Sequence, residues 1–462
     1  MANLINLQLG WPSPSLFPAP QLLNGAGNVL QSSKKTAAAL IYGPDAGYLP
    51  LREEIAKWLS ATYTTSETIS SDRICISNGA SANLENILAK FTEPGYTRSI
   101  WMIEPSYFLA CPIFTDAGFG GRLRGVPEDD EGLDVEFLRK ALQEVEKGEH
   151  PTAPVLKTHA RYAKLYKHII YAVPTFANPS GKTMSLRRRQ ELVRIAREFD
   201  ALVVTDDVYD VLRWPVSQDG DLSQLSAVPP RIVDVDRILE GGPKDQWGNA
   251  ISNGSFSKIV APGVRTGWAE GTPDLALALS SVGATKSGGC PSHITASFIH
   301  EMLATNQLQD HISKTLIPTY RARYYALFNA IDELLVPLGF KVSTGTPYEV
   351  SSAEMKTNGH TNGSTNGHSS SRAAGGYFTY LTVPSDVGIT VGELAALALE
   401  KHNLKFAFGA MMAVEGDKTS DERAKGGYGQ GIRLCWAWHP EEEIREGIAR
   451  LATLTKELKS KS

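Results

Sequence analysis

Ser255-Phe256-Ser257-Lys258-Ile259-Val260-Ala261-Pro262-Gly263-Val264-Arg265-Thr266-Gly267 is the stretch from which the rest of the chain can be read. A lysine stands beside two serine hydroxyls, a Pro-Gly break follows, and an arginine comes seven residues after the lysine. An amine able to form a Schiff base is thus placed near groups that hold an anion, a guanidinium fork and neutral hydroxyls. The same residues also fit a solvated basic loop, so the flanking segments must decide between the two. Both flanks, Ala250–Ser255 and Thr266–Glu270, read as strands.

Further out, Arg73–Ser77, Ser99–Ile103, His168–Val173 and Ala201–Thr205 are also short apolar or β-branched runs. Helix-period segments lie between several of them: Ala82–Phe91, Leu133–Val145 and Leu186–Phe199. Such alternation predicts an α/β fold with a doubly wound, mainly parallel sheet, in which ligands sit at the carboxyl ends of the strands. A long helical pattern, Ser313–Leu338, leads to a smaller α+β unit with strands at Tyr377–Thr382 and Gly431–Trp436 and a terminal helix at Glu442–Leu458. Glu415–Tyr428 reads as a polar loop. Glu354–Ala374 holds three Asn-Gly pairs and almost nothing apolar, which predicts a disordered insertion; His360 and His368 are too few for a metal tract. The expected division is an N-terminal segment 1–45 packing on the small domain and a dimer partner, a large domain 46–325, and a small domain 326–462 carrying the insertion 354–374.

Composition excludes several classes. The 462 residues are 42% hydrophobic and 21% charged, with a formal net charge of -4. The densest basic cluster, Arg187-Arg188-Arg189, reads as the solvated start of a helix rather than a nucleic-acid footprint. Cys75, Cys111, Cys290 and Cys435 are scattered without a Cys-x-x-Cys pair, and the ten histidines show no metal-ligand spacing, so no metal site is expected. Met1 to Ser33 carries no charged side chain, unlike a secretory or mitochondrial leader. No apolar run approaches the roughly 20 residues that span a bilayer. A cytoplasmic protein without membrane or nucleic-acid partners is the expectation.

Motifs cluster after the predicted strands. Asp206-Asp207-Val208-Tyr209 follows one strand, and Asp206 is favoured over Asp207, whose alternative use is a helix cap. Pro174-Thr175-Phe176-Ala177-Asn178-Pro179-Ser180-Gly181 follows another and contains an Asn-Pro-x-Gly turn. Ser77-Asn78-Gly79-Ala80-Ser81-Ala82-Asn83 joins a strand to a helix N-terminus, where free N–H groups favour phosphate. Glu104-Pro105-Ser106-Tyr107, Tyr42-Gly43-Pro44-Asp45-Ala46-Gly47 and Gly431-Ile432-Arg433-Leu434-Cys435-Trp436 complete the set.

In this order the motifs resemble the class I/II (fold-type I) aminotransferases, nearest the aminoadipate and aromatic aminotransferase branch, from about Leu9 to Arg450. The resemblance implies pyridoxal 5'-phosphate as cofactor, carried by Lys258 as a Schiff base. It implies that Asp206 pairs with the ring nitrogen, that Tyr209 and Asn178 bond the phenolic oxygen, and that Tyr107 stacks on the ring. Ala80, Ser81, Ser255, Ser257 and Arg265 would hold the phosphate, although the family usually has a hydroxyl where Ala80 stands. Arg433 would clamp the substrate α-carboxylate with help from Asn178. Tyr42 would reach the phosphate of a neighbouring subunit, implying a homodimer with shared sites, and the Ser287–Ser292 loop would approach that interface. Phe408-Gly409 departs from a usual Pro-Gly, and Thr266 from a usual aliphatic.

The implied reaction moves an amino group from an amino acid to a 2-oxo acid, with the freed Lys258 amine as general base. Gly10 and Trp11 are expected beside the substrate. The uncharged segment Leu9–Gln31, with Leu9, Trp11, Leu16 and Phe17, predicts an apolar, aromatic or long-chain substrate rather than aspartate; aminoadipate stays open. Two alternatives remain: a lyase of the same fold (carbon–sulfur β-elimination, or a cyclopropane-forming synthase), and a non-catalytic ligand-sensing domain of a transcription regulator. The resemblance begins within about ten residues of Met1, which is expected to leave no room for the helix-turn-helix module a regulator carries.

Overall fold

In the computed structural model, residues 3–148, 153–343, 345, 348 and 372–461 are described. An eight-stranded sheet runs in the order Ile74–Ser77, Gly267–Glu270, Ala250–Ser255, Ala201–Asp206, His168–Ala172, Ser99–Glu104, Leu123–Asp129, Gly132–Leu133. The five strands from Ala250–Ser255 to Leu123–Asp129 are parallel, whereas Gly267–Glu270 is antiparallel to both neighbours.

Alternate side chains along these strands go to opposite layers. Leu202 and Val204 pack with Leu84 and Ile87 of the helix Ala80–Phe91; Ala201 and Val203 pack with Leu138 of Val135–Lys147 and Leu192 of Leu186–Glu198. Both faces are therefore dry, which is why the strands read as continuous apolar runs. Each fully buried Leu or Val here stabilises the fold by about 1.5–3 kcal/mol. The helix Val135–Lys147 begins at Asp134, whose carboxylate accepts from the N–H groups of Glu136 and Phe137 at 3.0 Å.

A second sheet is antiparallel and runs Lys341–Ser343, Phe378–Thr382, Gly431–Cys435, Ala407–Phe408. The N-terminal strand Ile5–Asn6 pairs in parallel with Leu404–Lys405. Among the described residues no helix is long and apolar enough to cross a membrane.

Four expectations need correction. Ser313–Leu338 is not one helix: the α-helix is Ile317–Leu334, entered through a wider turn at Ile312–Leu316 and closed by a tight turn at Val336–Leu338. Pro318, which has no N–H to donate, sits where the wider turn passes into the α-helix, a place where the regular hydrogen-bond ladder is already interrupted. Residues 354–371 of the predicted insertion, His360 and His368 included, lie outside the described residues, but Ala373 and Ala374 belong to a strand, Ala373–Gly375, paired with Arg213–Pro215. Of the arginine triplet only Arg187 is solvated. Arg188 and Arg189 are buried, and Arg189 donates to the carbonyls of Pro174, Met184 and Pro230, pinning the loop that carries Asn178.

The fourth concerns the polar stretch before the last strand, which contains a helix, Lys418–Gly426. Asp417 caps it by accepting from Thr419 N–H at 3.0 Å. Arg423 then forks onto buried Glu104, Nε to Oε2 at 2.7 Å and Nη2 to Oε1 at 3.0 Å. A polar helix with little apolar face is held by this pair rather than by hydrophobic burial. Replacing Arg423 with Met strands a buried carboxylate and should lower stability by about 3 kcal/mol, near the low end for a broken buried pair because Arg423 is only partly buried. Urea unfolding of the purified variant measures it; a change under about 1 kcal/mol would place the pair among weak surface bridges.

Candidate active site

The topology gathers chain ends on one edge of the large sheet. Asp206 closes its strand, Tyr107 follows Ser99–Glu104, Asn178 follows His168–Ala172, and Lys258 follows Ala250–Ser255. Ile74–Ser77 runs in the same sense through its antiparallel neighbour, so Gly79 and the helix Ala80–Phe91 begin at this edge. Gly267–Glu270 starts there, which brings in Arg265. Asp206, Tyr107, Asn178, Lys258, Arg265, Ala80 and Ser81 line a single cleft of about 350 Å³ together with Gly10, Trp11 and Arg433 from the N- and C-terminal parts of the chain. Its size suits a small organic ligand.

Lys258 Nζ donates to Gly10 O at 2.7 Å and lies 6.0 Å from the centre of the Tyr209 ring. Burial pushes its pKa down to about 8, with nearby Arg433 adding to the drop and Cys435 and Asp206 opposing it. Asp206 accepts from Tyr171 Oη at 2.5 Å and from Asn253 Nδ2 at 2.7 Å. Burial raises its pKa to about 6, while those two donors and Lys258 hold it down from a higher value. Asp207 points elsewhere: it accepts from Thr205 Oγ1 at 2.8 Å and Ser252 Oγ at 2.6 Å and does not line the cleft.

At the opposite wall, Arg433 is buried, donates from Nη1 to Asn178 Oδ1 at 2.7 Å and from Nη2 to Gln8 O at 2.6 Å, and lies 4.2 Å from the centre of the Phe378 ring. Its Nε is buried with no hydrogen-bond partner among the described residues. Tyr209 packs edge-on against Phe378, with ring centres 6.0 Å apart. Tyr107 is half-buried, and burial together with Asp206 raises its phenol pKa.

The remaining cluster is suited to a phosphate. Ser255 and Ser257 hydroxyls are 2.9 Å apart, and Arg265 reaches Ser257 Oγ at 3.5 Å while also bonding Asn78 O at 2.9 Å. Gly79 has φ +94°, the left-handed region open to glycine, and the helix that follows begins with Ala80 and Ser81, which line the cleft and, as first-turn residues, have N–H groups without intrahelical partners.

Two predicted wall residues lie elsewhere. Leu16 is buried in the core and Phe17 packs against that core, so only Leu9 and Trp11 of the four apolar candidates line the cleft. Tyr42 is 81% exposed, outside the cleft and beside Gly288. Sequence reasoning missed Tyr171, Asn253, Gln8, Phe378, Leu109 and Lys405. A visible signal existed for Asn253, an amide inside an otherwise small and apolar strand. It also accepts from Asn83 Nδ2 at 2.8 Å, forming a chain of amides that ends on Asp206.

The sequence profile of the family described as aminotransferase class I and II matches residues 22–346. The chain belongs to that family. This aminotransferase is 32% identical to an uncharacterized protein of Saccharomyces cerevisiae, over 98% of this chain and 97% of that one. It is 29% identical to the aromatic-amino-acid aminotransferase 1 of Thermococcus litoralis, over 99% of this chain and 89% of the relative. Among solved structures, the kynurenine aminotransferase of Pyrococcus horikoshii, in complex with PMP, superposes with a TM-score of 0.73 at 27% identity, covering 99% of this chain and 92% of that one. The aminotransferase uses pyridoxal phosphate. The cleft fits it: an amine of depressed pKa, a buried carboxylate and a phosphate-type donor cluster face one space.

Proposed function

We propose that this aminotransferase moves the amino group of an apolar, aromatic or long-chain amino acid to a 2-oxo acid. The observation that carries this reading is the meeting of Lys258, Asp206, Asn178 and Arg433 in one cleft whose outer wall holds Leu9, Trp11 and Leu109. Pyridoxal phosphate, when bound, supplies an aldehyde for the substrate amine and a ring that withdraws electrons from the bond broken at Cα. Lys258 carries the group and then moves the Cα proton; its low pKa provides the neutral amine that task needs. Asp206 holds the ring-nitrogen proton, while Tyr209 and Asn178 donate to the phenolic oxygen. Ser255, Ser257, Arg265 and the N–H groups of Ala80 and Ser81 bind the phosphate, and Tyr107 covers the ring face. Arg433 takes the α-carboxylate and thereby orients the Cα–H bond; Gly10 and Trp11 border the side chain.

Residues 46–325 are assigned to the cofactor domain and 326–462 to the small domain, with 1–45 tying the two and meeting a second subunit. The exposed Leu23, Leu40, Ile41 and Tyr42 support a homodimer in which Tyr42 reaches the partner's phosphate site. A cytoplasmic, biosynthetic role in amino-acid metabolism is part of the same reading.

Half-reactions test the substrate class. The pyridoxal form, mixed with single amino acids, should convert to the pyridoxamine form fastest with phenylalanine, tyrosine, leucine or aminoadipate, and at least about tenfold more slowly with aspartate. Release of ammonia and a 2-oxo acid without any acceptor would instead indicate a lyase.

A further inference from the structure

Lys405 has no role in the function just proposed, yet it lines the same cleft as Lys258 and Arg433. It sits where the N-terminal strand pairs with Leu404–Lys405, opposite Asn6. Two residues on, Ala407 is the register partner of Arg433. Leu7 lies between the two strands here, donating to Lys405 O and accepting from Cys435 N–H at 2.8 Å each, so Lys405 and Arg433 reach the cleft from either side of the N-terminal segment. The Lys405 ammonium is exposed and has no hydrogen-bond or ion-pair partner among the described residues.

The charges around the cleft leave this group over. Among the described lining residues the cations are Lys258, Arg265, Lys405 and Arg433, and the only carboxylate is Asp206. Lys258 is used by covalent attachment, Arg265 by the phosphate, Arg433 by the α-carboxylate and Asp206 by the ring nitrogen. One positive charge then remains, on a part of the lining that also holds the amide-bearing Asn6 and Gln8.

We propose that Lys405 is a specificity-determining residue that receives the second carboxylate of a dicarboxylic 2-oxo acid acceptor whose first carboxylate is held by Arg433. The inference rests on the site roles proposed above. A lysine suits the task because its flexible apolar stem lets the ammonium retreat to water when an apolar donor fills the same space. One pocket thus serves an uncharged donor and a dianionic acceptor. The uncharged N-terminal segment receives its cation from the strand it pairs with.

The holoenzyme with Lys405→Met and Lys405→Arg provides the test. The kcat/KM preference for 2-oxoglutarate over 4-methyl-2-oxopentanoate, with one amino donor, should fall about ten- to hundredfold in Lys405→Met, mainly through KM, as expected for loss of a charge-assisted hydrogen bond. Lys405→Arg should recover most of the preference. Calorimetry on the pyridoxal form gives a readout apart from turnover: the affinity ratio of glutarate to pentanoate should fall by about tenfold or more in Lys405→Met. Equal loss with both acceptors, or an unchanged preference, overturns the assignment. A wild-type enzyme that consumes aromatic amino acids but treats 2-oxoglutarate no better than 4-methyl-2-oxopentanoate overturns it alone, whereas failure of every amino-acid half-reaction overturns the proposed function.

Discussion

Lys258→Ala should abolish covalent retention of pyridoxal phosphate and reduce turnover by about 10⁴-fold or more, because one amine is both attachment point and proton carrier. Borohydride reduction followed by mass analysis reads the attachment directly; a variant that still gained the cofactor mass at another lysine would refute the assignment. Removing this lysine also has a stability consequence of definite sign in protein freed of pyridoxal phosphate. The folded pKa, about 8, lies below the ordinary 10.5. The unfolded chain therefore binds more protons between those pH values, and wild-type stability rises with pH across that window. Below about pH 8 the full penalty of burying a charged amine is present, on the order of 3–4 kcal/mol. Lys258→Met should accordingly be more stable than wild type at pH 7, with the gap closing toward pH 10.5. Thermal unfolding of the two cofactor-free proteins across this range checks the prediction, and a gap independent of pH would exclude titration of Lys258 as its cause. The catalytic lysine weakens the fold that holds it.

Asp206→Asn is expected to have the next largest effect, a loss of about 10²–10³ in kcat with the cofactor still attached, comparable to removing one preorganised electrostatic contact. The neutral amide keeps the shape and can still accept from Asn253 Nδ2, but its NH2 group cannot accept from Tyr171 Oη, and it cannot hold a ring-nitrogen proton by charge. Asp207→Asn is the control from the adjacent position. Its carboxylate is turned to Thr205 and Ser252, and burial, with Asp210 nearby, raises its pKa, so it offers the cleft no fixed charge of its own. That substitution should leave kcat within about threefold. The reverse ranking would exchange the roles of the two aspartates. Single-turnover rates with one amino acid separate chemistry from product release.

The difference between these neighbours shows what was legible in the sequence and what was not. Alternation along Ala201–Asp206 sends successive side chains to opposite faces, so one aspartate of the pair had to enter the cleft while the other turned away. Deciding which one required the motif. Strands with two dry faces are visible as apolar runs, and Ala250–Ser255 has the limits its sequence indicates. Leu123–Asp129 is not visible in this way, because it carries Arg124, Gly125 and Pro127; it is tolerated near the sheet margin, where beyond it only the short Gly132–Leu133 pairs. Lys418–Gly426 was invisible for another reason: its stabilising partner, Glu104, is 319 residues away in the chain. Lys405 belongs to the same class. A strand of two residues has almost no periodicity, and only its pairing with Ile5–Asn6 brings it to the cleft.

That pairing also dictates an order of assembly. Ile5 and Leu7 are synthesised about 400 residues before their partners Leu404, Lys405 and Cys435. At roughly 5–20 residues per second, the N-terminal strand waits on the order of 20–80 s for a surface to pair with. The strands of the large sheet, Ile74–Ser77 to Gly267–Glu270, are all made in the meantime and can assemble without it. Catalytic competence then comes after assembly of the large sheet: until the segment docks, Lys258 and Arg433 lack the Gly10 and Gln8 carbonyls that orient them. Throughout that interval the apolar side chains of Ile5 and Leu7, buried in the folded chain, have no native surface to cover them.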